Sequence, residues 1–406
     1  MTEEYHVQIM KKIVIAQYEQ TAIAALMENG RPVTLGFLSD AGSFQAGTVI
    51  IGRVEQVKKE LNAAFVSIAP GVPAYLQLKD AVPYKQGDLV PVLIERPAGR
   101  NKRIQVSDRL SLYGKNVAIL EGKKPVGISA RITEETRRDR LRALMQGWLS
   151  DHADADVTAI VRTNAVFAEE EEILDEADSL LGQLLEIRQR APFCTQYTVL
   201  HAAENETLKL IRDNDGPEPL ELVTDIPAVL TEAEEYIGRM GSSLKASLYE
   251  DPQLPLFKLY SLDYAVRNAL EKKVWLRSGG YLVIEHTEAL TVIDVNTGKY
   301  TPKGSGAGTF LKLNLEAAEE AARQLRLRNI SGIIIVDFID MKESDEKEQL
   351  IRAIREAIVK DPIKTSFHGL TALGLAELTR KKTSPPLAEQ AVKQDFFRNM
   401  QRDKKE

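Results

Sequence analysis

Three consecutive stretches decide the fold of the C-terminal half: LTVIDVNTGKY (290–300), LNLEAAEEAARQLRLRN (313–329) and SGIIIVDFIDM (331–341). The first and third are apolar runs of β type that stop on Asp294 and Asp337, whereas the second has a helical pattern. The order strand, helix, strand predicts a crossover that makes the two strands parallel. Since parallel strands end at the same edge of a sheet, neighbouring strands would bring both carboxylates to one spot, with backbones roughly 4.8 Å apart.

Two carboxylates at one sheet edge suit a divalent cation. Mg²⁺ is usually held by one or two carboxylates, keeps several waters and takes its remaining ligands from a phosphate. Asn296 lies two residues after Asp294, so both side chains point to the same face of the strand, where the amide could orient a water or a phosphate. Asp340, three residues after Asp337, allows two roles. It either supports the metal ligands without contacting the ion or lies at the start of the following helix. A single Asp at a strand end usually caps a loop, so the prediction of metal-assisted phosphodiester chemistry depends on the pair.

The composition narrows the class of protein. The chain has 406 residues, a net charge of −6 and a single cysteine, Cys194. This mild acidity argues against a protein whose whole surface binds nucleic acid, so an RNA or DNA site must be local. One cysteine excludes an intrachain disulfide framework and fits a reducing cytoplasm. The N-terminus lacks the apolar segment of a signal peptide and no apolar run approaches the ~20 residues of a membrane helix, so we expect a cytoplasmic protein without a membrane partner.

Residues 46–110 contain five short strand patterns separated by turn signals, which predicts a small closed barrel of the OB type. Such barrels bind single strands through exposed aromatic side chains and nearby Lys or Arg. Phe65 and Tyr75 flank the turn APGVP, and Lys102 and Arg103 lie on the last hairpin. A phenylalanine in a barrel is more often part of the core. Tyr75 is the better stacking candidate because its ring can face water.

The residues that carry the predicted chemistry resemble those of the ribonuclease E/G family of bacterial endoribonucleases. The strings that carry this resemblance span nearly the whole chain: LNAAFVSIAPGVPAYLQLKD, EALTVIDVNTGKY, LNLEAAEEAARQLRLRNISGIIIVDFIDM and KTSFHGLTALGLAELTRKK. The resemblance implies that Asp294 and Asp337 bind Mg²⁺, for which Mn²⁺ can substitute, and that Asn296 assists them. We expect the chain to stand nearer the shorter ribonuclease G branch.

The resemblance also implies an α/β multidomain fold, in which an RNase H-like portion is interrupted by an inserted OB-fold barrel of the S1 type. The expected divisions are 1–43 with 206–270 for the RNase H-like portion, 44–113 for the barrel, 114–205 for a 5′-sensor region, 271–385 for a DNase I-like catalytic subdomain and 386–406 for a charged tail.

Two groups of RNA-binding residues are implied in the same way. The residues that resemble the family's sensor of an RNA 5′-monophosphate are Gly127, Arg162, Thr163 and Lys364, and those that resemble its RNA contacts on the barrel are Phe65, Tyr75 and Lys102. An arginine and a backbone N–H together can bind a terminal phosphate bidentately. For Arg162 alone, a salt bridge at the surface is the simpler interpretation.

The chain departs from the family at one place. Members typically carry cysteines after the catalytic domain that share a zinc ion between two chains, whereas this chain has TRKKTSPPLAEQAVKQ there. We therefore expect no zinc, and a possible homodimer without a zinc link.

Together these features predict a Mg²⁺-dependent endoribonuclease that cleaves single-stranded RNA in rRNA maturation, mRNA decay or both, with a preference for 5′-monophosphorylated substrates. The alternatives are a catalytically silent RNA-binding regulator with the same fold and a metal-dependent DNA nuclease.

Overall fold

The computed structural model describes residues 10–38, 44–78, 84–97, 103–216, 218–300, 310–341, 344–394 and 396. The chain divides into two compact units, Met1–Ser39 with Glu218–Glu406, and Asp40–Pro217. The strands in the described ranges are β1 (Lys11–Tyr18), β2 (Thr21–Glu28), β3 (Arg31–Leu38), β4 (Val49–Lys58), β5 (Ala63–Ala69), β6 (Val72–Gln77), β7 (Leu89–Arg96), β8 (Ile104–Ser107), β9 (Ser111–Tyr113), β10 (Val117–Glu121), β11 (Gly127–Ile128), β12 (Val157–Val161), β13 (Val199–His201), β14 (Leu220–Thr224), β15 (Lys245–Leu248), β16 (Lys273–Trp275), β17 (Tyr281–His286), β18 (Leu290–Asn296), β19 (Gly332–Asp337), β20 (Thr365–Leu370) and β21 (Ala376–Arg380). The α-helices there are α1 (Glu135–Asp151), α2 (Glu170–Arg190), α3 (Glu206–Asn214), α4 (Pro227–Met240), α5 (Leu256–Leu259), α6 (Leu262–Leu270), α7 (Leu311–Leu327), α8 (Ser344–Val359) and α9 (Leu387–Lys393).

The first unit contains a five-stranded sheet in the order β15-β14-β1-β2-β3. Strands β2 and β3 are joined at Asn29 and Gly30, whose φ angles of 49° and 76° give the positive pair that a type I′ hairpin turn requires. Tyr18 and Phe37 pack on Phe396, with ring centroids 5.3 and 5.5 Å away, and form part of a core that includes residues of α5, α6 and α9. The sheet is therefore anchored by aromatic burial between segments distant in sequence.

The same unit contains a six-stranded sheet in the order β16-β17-β18-β19-β21-β20. β18 and β19 are parallel neighbours joined through α7, so the predicted crossover is confirmed. Alternate residues of both strands, including Ile293, Val295, Ile334 and Val336, pack against the apolar stripes of α7 and α8. This leaves the opposite face of the sheet without helical cover from α7 and α8.

The second unit contains the predicted barrel. Strands β4 to β8 form a closed five-stranded arrangement, because β4 pairs with both β5 and β7. Gly52 lies where a Cβ would come within 2.3 Å of the Val66 side chain, so the barrel wall needs a glycine there. The sequence pattern missed β13, which pairs with β4 from almost 150 residues further along the chain.

The remainder of the second unit is a sheet in the order β11-β12-β10-β9, covered by α1 and α2. The strand, helix and strand predicted over 127–165 are present as β11, α1 and β12. Trp148 of α1 is buried, and its indole N–H donates to Asp178 at 2.7 Å. The fold is thus mixed α/β with a closed five-stranded barrel. None of the helices in the described residues combines the length and the apolar composition that a membrane span requires.

Candidate active site and nucleic-acid interface

The two predicted carboxylates lie side by side at the carboxyl ends of β18 and β19. Asp294 is the direct partner of Asp337 in the parallel register, so their backbones are separated by one strand spacing, roughly 4.8 Å. Both side chains are exposed, whereas Ile293, Val295 and Val336 beside them are buried against the helices. Strand alternation therefore places both acids on the face that α7 does not cover.

Asn296 belongs to the same cluster, as its spacing predicted. Its amide Nδ2 donates to Oδ2 of Asp294 at 2.7 Å. The pKa of Asp337 is raised by burial and by the negative charges of Asp294 and Asp340. Mutual repulsion between carboxylates is the electrostatic condition that a bound cation relieves. Asp340 lies between β19 and the described start of α8, and its negative charge is one of the causes of the raised pKa of Asp337.

The acid pair suits a cation that takes few ligands from the protein. No group of three or more His, Cys, Asp or Glu side chains in the described part of the chain could hold a metal ion. Mg²⁺ characteristically uses one or two carboxylates and completes its shell with water and phosphate oxygens, so Asp294 and Asp337 meet that requirement.

Two glycines fix the turns beside this cluster. A Cβ on Gly280 would lie 2.6 Å from Leu313 and 2.9 Å from the carbonyl oxygen of Asn296. Gly298 has a φ of +53°, and a Cβ there would lie 2.7 Å from the carbonyl oxygen of Gly279. Both turns therefore pack too closely for a residue with a Cβ. The close packing of these two turns holds the end of β18 in place.

The predicted aromatic residues of the barrel form one pair on its outer surface. Phe65 and Tyr75 are directly opposite each other on β5 and β6, half-buried, with ring centroids 6.1 Å apart. The Arg103 guanidinium lies 4.9 Å from the centre of the Phe65 ring. Phe65 is therefore not a core residue, because the strand alternation puts Ala64 and Val66 inside instead. Lys102 lies outside the described residues, and Arg103 is the cation that the structure places at the pair.

Three of the four predicted sensor residues come together in the second unit. Gly127 pairs with Ile160 across β11 and β12, and Thr163 shares a 2.9 Å hydrogen bond with Ser129. Arg162 follows β12 directly. Lys364 is exposed, precedes β20 and belongs to the other unit.

Arg162 already has partners. Its Nη2 donates to Oδ1 of Asp213 at 2.6 Å, and its Nη1 donates to the carbonyl oxygen of Gly114. Burial raises the pKa of Asp213, but the charges and hydrogen bonds of Arg212 and Arg162 outweigh it, so this pKa lies below its ordinary value of 3.8. The salt bridge that the sequence left open for Arg162 is present, and an incoming phosphate would have to compete with Asp213.

Sequence reasoning missed two parts of these sites. It gave no role to Asp213, which follows Arg162 by 51 residues and carries no local motif. It also gave no role to the exposed Trp275, although the hairpin pattern of β16 and β17 is local enough to place this residue beside Tyr281.

The fold and the site define an α/β protein that combines a barrel bearing half-buried aromatic residues on its outer surface with a pair of carboxylates at the edge of a sheet. The sequence profile of the Ribonuclease E/G family matches residues 111–383. The chain is 32% identical to ribonuclease G of Escherichia coli K12 over 363 residues, which cover 83% of this chain and 73% of the relative. It is 33% identical to ribonuclease E of Nostoc sp., over 93% of this chain and 57% of that protein. It is 30% identical to ribonuclease G of Haemophilus influenzae, over 89% of this chain and 78% of that protein. The chain belongs to the ribonuclease E/G family.

Proposed function

We propose that this protein is an endoribonuclease that uses Mg²⁺ to cleave single-stranded RNA. The observation that carries the proposal is the in-register pair Asp294 and Asp337 on the sheet face that α7 and α8 do not cover, in a chain of the ribonuclease E/G family. Relatives named ribonuclease G and ribonuclease E support the reaction class.

Asp294 and Asp337 would hold the cation, with water and a phosphate oxygen as its other ligands. When bound, such an ion lowers the pKa of a water and neutralises charge that develops on the phosphate. Asn296 holds the Asp294 carboxylate through the 2.7 Å hydrogen bond and so fixes one ligand before substrate arrives. Asp340 adds negative charge next to Asp337, which favours a cation there.

The barrel would hold the strand. Phe65 and Tyr75 present ring faces on which bases can stack, and Arg103 supplies positive charge next to them. Stacking on an aromatic face needs an unpaired base, which supports preference for single strands over duplexes. Lys102 is included in this surface on resemblance alone.

A 5′-monophosphate preference is the second part of the proposal. Gly127, Arg162 and Thr163 are neighbours, which supports it, whereas Asp213 competes for the same guanidinium. We expect 5′-monophosphorylated RNA to be cleaved faster than 5′-hydroxyl RNA, and Arg162→Ala and Lys364→Ala to reduce that ratio towards one. Thr195→Ala, in the same unit, serves as a control. An Arg162→Ala protein that keeps the full ratio contradicts the sensor and leaves the nuclease assignment intact.

The decisive test is cleavage of a single-stranded RNA oligonucleotide with and without Mg²⁺. We expect Asp294→Asn to lose cleavage and to keep RNA binding, because the barrel is unchanged. Equal cleavage by the variant contradicts the role of the acid pair. Binding without cleavage by the wild type would favour the silent regulator, and equal cutting of a matched deoxyribonucleotide would favour the DNA nuclease.

We further propose a role in rRNA maturation, mRNA decay or both, a cytoplasmic location, and a homodimer, if one forms, without a zinc link. The division into an RNase H-like portion, an S1-type barrel, a sensor region and a DNase I-like subdomain also stays a prediction.

A further inference from the structure

The face of the six-stranded sheet that α7 and α8 leave open carries a second feature, a cluster formed by Lys273, Trp275 and Tyr281, which we call the aromatic ledge. Trp275 is 56% exposed, although tryptophan is highly buried on average. The rings of Trp275 and Tyr281 have centroids 5.3 Å apart at an angle of 60°. The Lys273 ammonium lies 4.1 Å from the centre of the first ring and 3.6 Å from that of the second.

The register of the sheet places this ledge beside the acids. Trp275 is the direct partner of Tyr281, and Tyr281 is the direct partner of Asn296. Direct partners lie on the same face, so all three project from the face that bears Asp294. Trp275 is thus two strand spacings, about 10 Å, from Asn296, and Tyr281 is one. The ledge therefore begins one strand beyond Asn296, on the side of β18 away from Asp337.

Packing does not account for the ledge. The core-facing positions of the same strands are Val274 and Leu282, and these contact the apolar core against the helices. Trp275 therefore exposes a large apolar ring on the outer face. Gly280 and Gly298 hold the turn of residues 279–281 against the end of β18, so Tyr281 is fixed relative to Asn296. Here the cation lies over one face of each ring. Exposed aromatic rings combined with a cation are the arrangement by which proteins bind unpaired bases and their backbone phosphates.

We propose that the aromatic ledge is a subsite for one nucleotide of a single-stranded RNA, next to the phosphate at Asp294 and Asp337. Trp275 and Tyr281 stack on its base, and Lys273 pairs with the adjoining backbone phosphate. Because every base has a ring face, this subsite selects for an unpaired base and not for its identity. The choice of RNA as ligand follows from the proposed function, whereas the ledge itself follows from the geometry.

Tryptophan fluorescence tests the ledge without any cleavage. The chain has two tryptophans, and the other, Trp148, is buried in the second unit, so Trp148→Phe leaves Trp275 as the sole emitter. A ten-nucleotide RNA of mixed sequence is titrated in EDTA, while fluorescence anisotropy of a labelled copy reports binding. We expect saturable quenching by the single strand and little by its duplex. Binding seen by anisotropy without quenching overturns the proposal.

Cleavage kinetics supply the second test. Trp275→Ala should lower kcat/KM about 5- to 150-fold, which corresponds to the roughly 1–3 kcal/mol of one stacked base. The wild type should show the same loss of kcat/KM on an abasic substrate, which lacks one base next to the scissile phosphate. Trp275→Ala should cleave the abasic and the intact substrate with equal kcat/KM. Tyr264→Ala, which removes a ring of similar exposure from α6, should leave kcat/KM unchanged. Trp275→Phe should retain most of the activity.

The outcomes separate the two proposals. If Trp275→Ala cleaves intact RNA as fast as the wild type, the ledge has no such role and the nuclease assignment stands. If RNA binding quenches the fluorescence of Trp275 but the wild type never cleaves the RNA, the ledge is supported and the nuclease assignment is wrong.

Discussion

Replacing Asp294 by asparagine should make the metal-free protein more stable while it removes activity. Asp294 and Asp337 are partners in the parallel register and both are exposed. The pKa of Asp337 is raised by slight desolvation and by the Asp294 and Asp340 charges. The substitution removes one of the repelling charges and keeps the shape. The hydrogen bond from Asn296 survives, because the new amide oxygen can accept it as Oδ2 of Asp294 does.

The size of the gain follows from the strand spacing. Two unit charges about 4.8 Å apart in water repel by about 1 kcal/mol, and the water value applies because both side chains face solvent. For a folding unit of about 150–250 residues, 1 kcal/mol raises Tm by about 2–4 °C. Mg²⁺ at ten times its Kd should stabilise the wild type by about 1.4 kcal/mol, so the order of stability reverses once the ion is added.

The assay is thermal unfolding of wild type, Asp294→Asn and Glu288→Gln, each in EDTA and in Mg²⁺. Glu288 is an exposed acid in the turn at the far end of the same hairpin, so its substitution removes one charge without touching the pair. We expect it to behave as the wild type does under both conditions. If Mg²⁺ raises the Tm of Asp294→Asn as much as that of the wild type, or if the variant is less stable than the wild type in EDTA, the two acids do not share an ion.

Three further predictions concern other parts of the chain. Arg380 and Asp361 form a buried ion pair with a 2.6 Å contact, so Arg380→Met alone should lower the free energy of unfolding, measured by urea denaturation, by about 3–5 kcal/mol. Adding Asp361→Leu should recover much of this loss, because the unpaired buried carboxylate is then removed. A double variant as unstable as Arg380→Met would contradict this. The lowered pKa of Asp213 means that its carboxylate stabilises the fold above its ordinary pKa of 3.8 and that this contribution disappears as the pH falls further. Asp213→Asn should therefore destabilise the protein at pH 7, and the gap to the wild type, measured by denaturation at several pH values, should narrow below about pH 4; a constant gap would exclude the linkage. Phe65→Ala should weaken binding of single-stranded RNA about 5- to 150-fold in an anisotropy titration, since it removes a stacking surface. The dependence of the binding constant on salt concentration should not change, because no charge is removed. A weaker dependence on salt would point to a different contact.

The acidic edge of the six-stranded sheet was predictable because its information is local. The alternation of apolar residues in LTVIDVN and GIIIVD fixes two strands, the helix between them makes them parallel, and the period of two puts Asp294 and Asn296 on one face. The barrel was predictable for the same reason, from five short strand patterns between turns. In each case the deciding contacts join segments close together in the chain.

The sequence by itself therefore determined the crossover strands β18 and β19, the five strands of the barrel and the position of the two acids, since side-chain periodicity and crossover handedness act over a few tens of residues. Only the tertiary structure decided which distant groups meet. It gave Arg162 a carboxylate partner in Asp213, paired β13 with β4, and placed Trp275 two strands from Asn296 on the face that α7 and α8 do not cover. These contacts follow from the burial of whole sheet faces, and no short stretch of sequence encodes which face of a sheet the helices of a folded chain leave open.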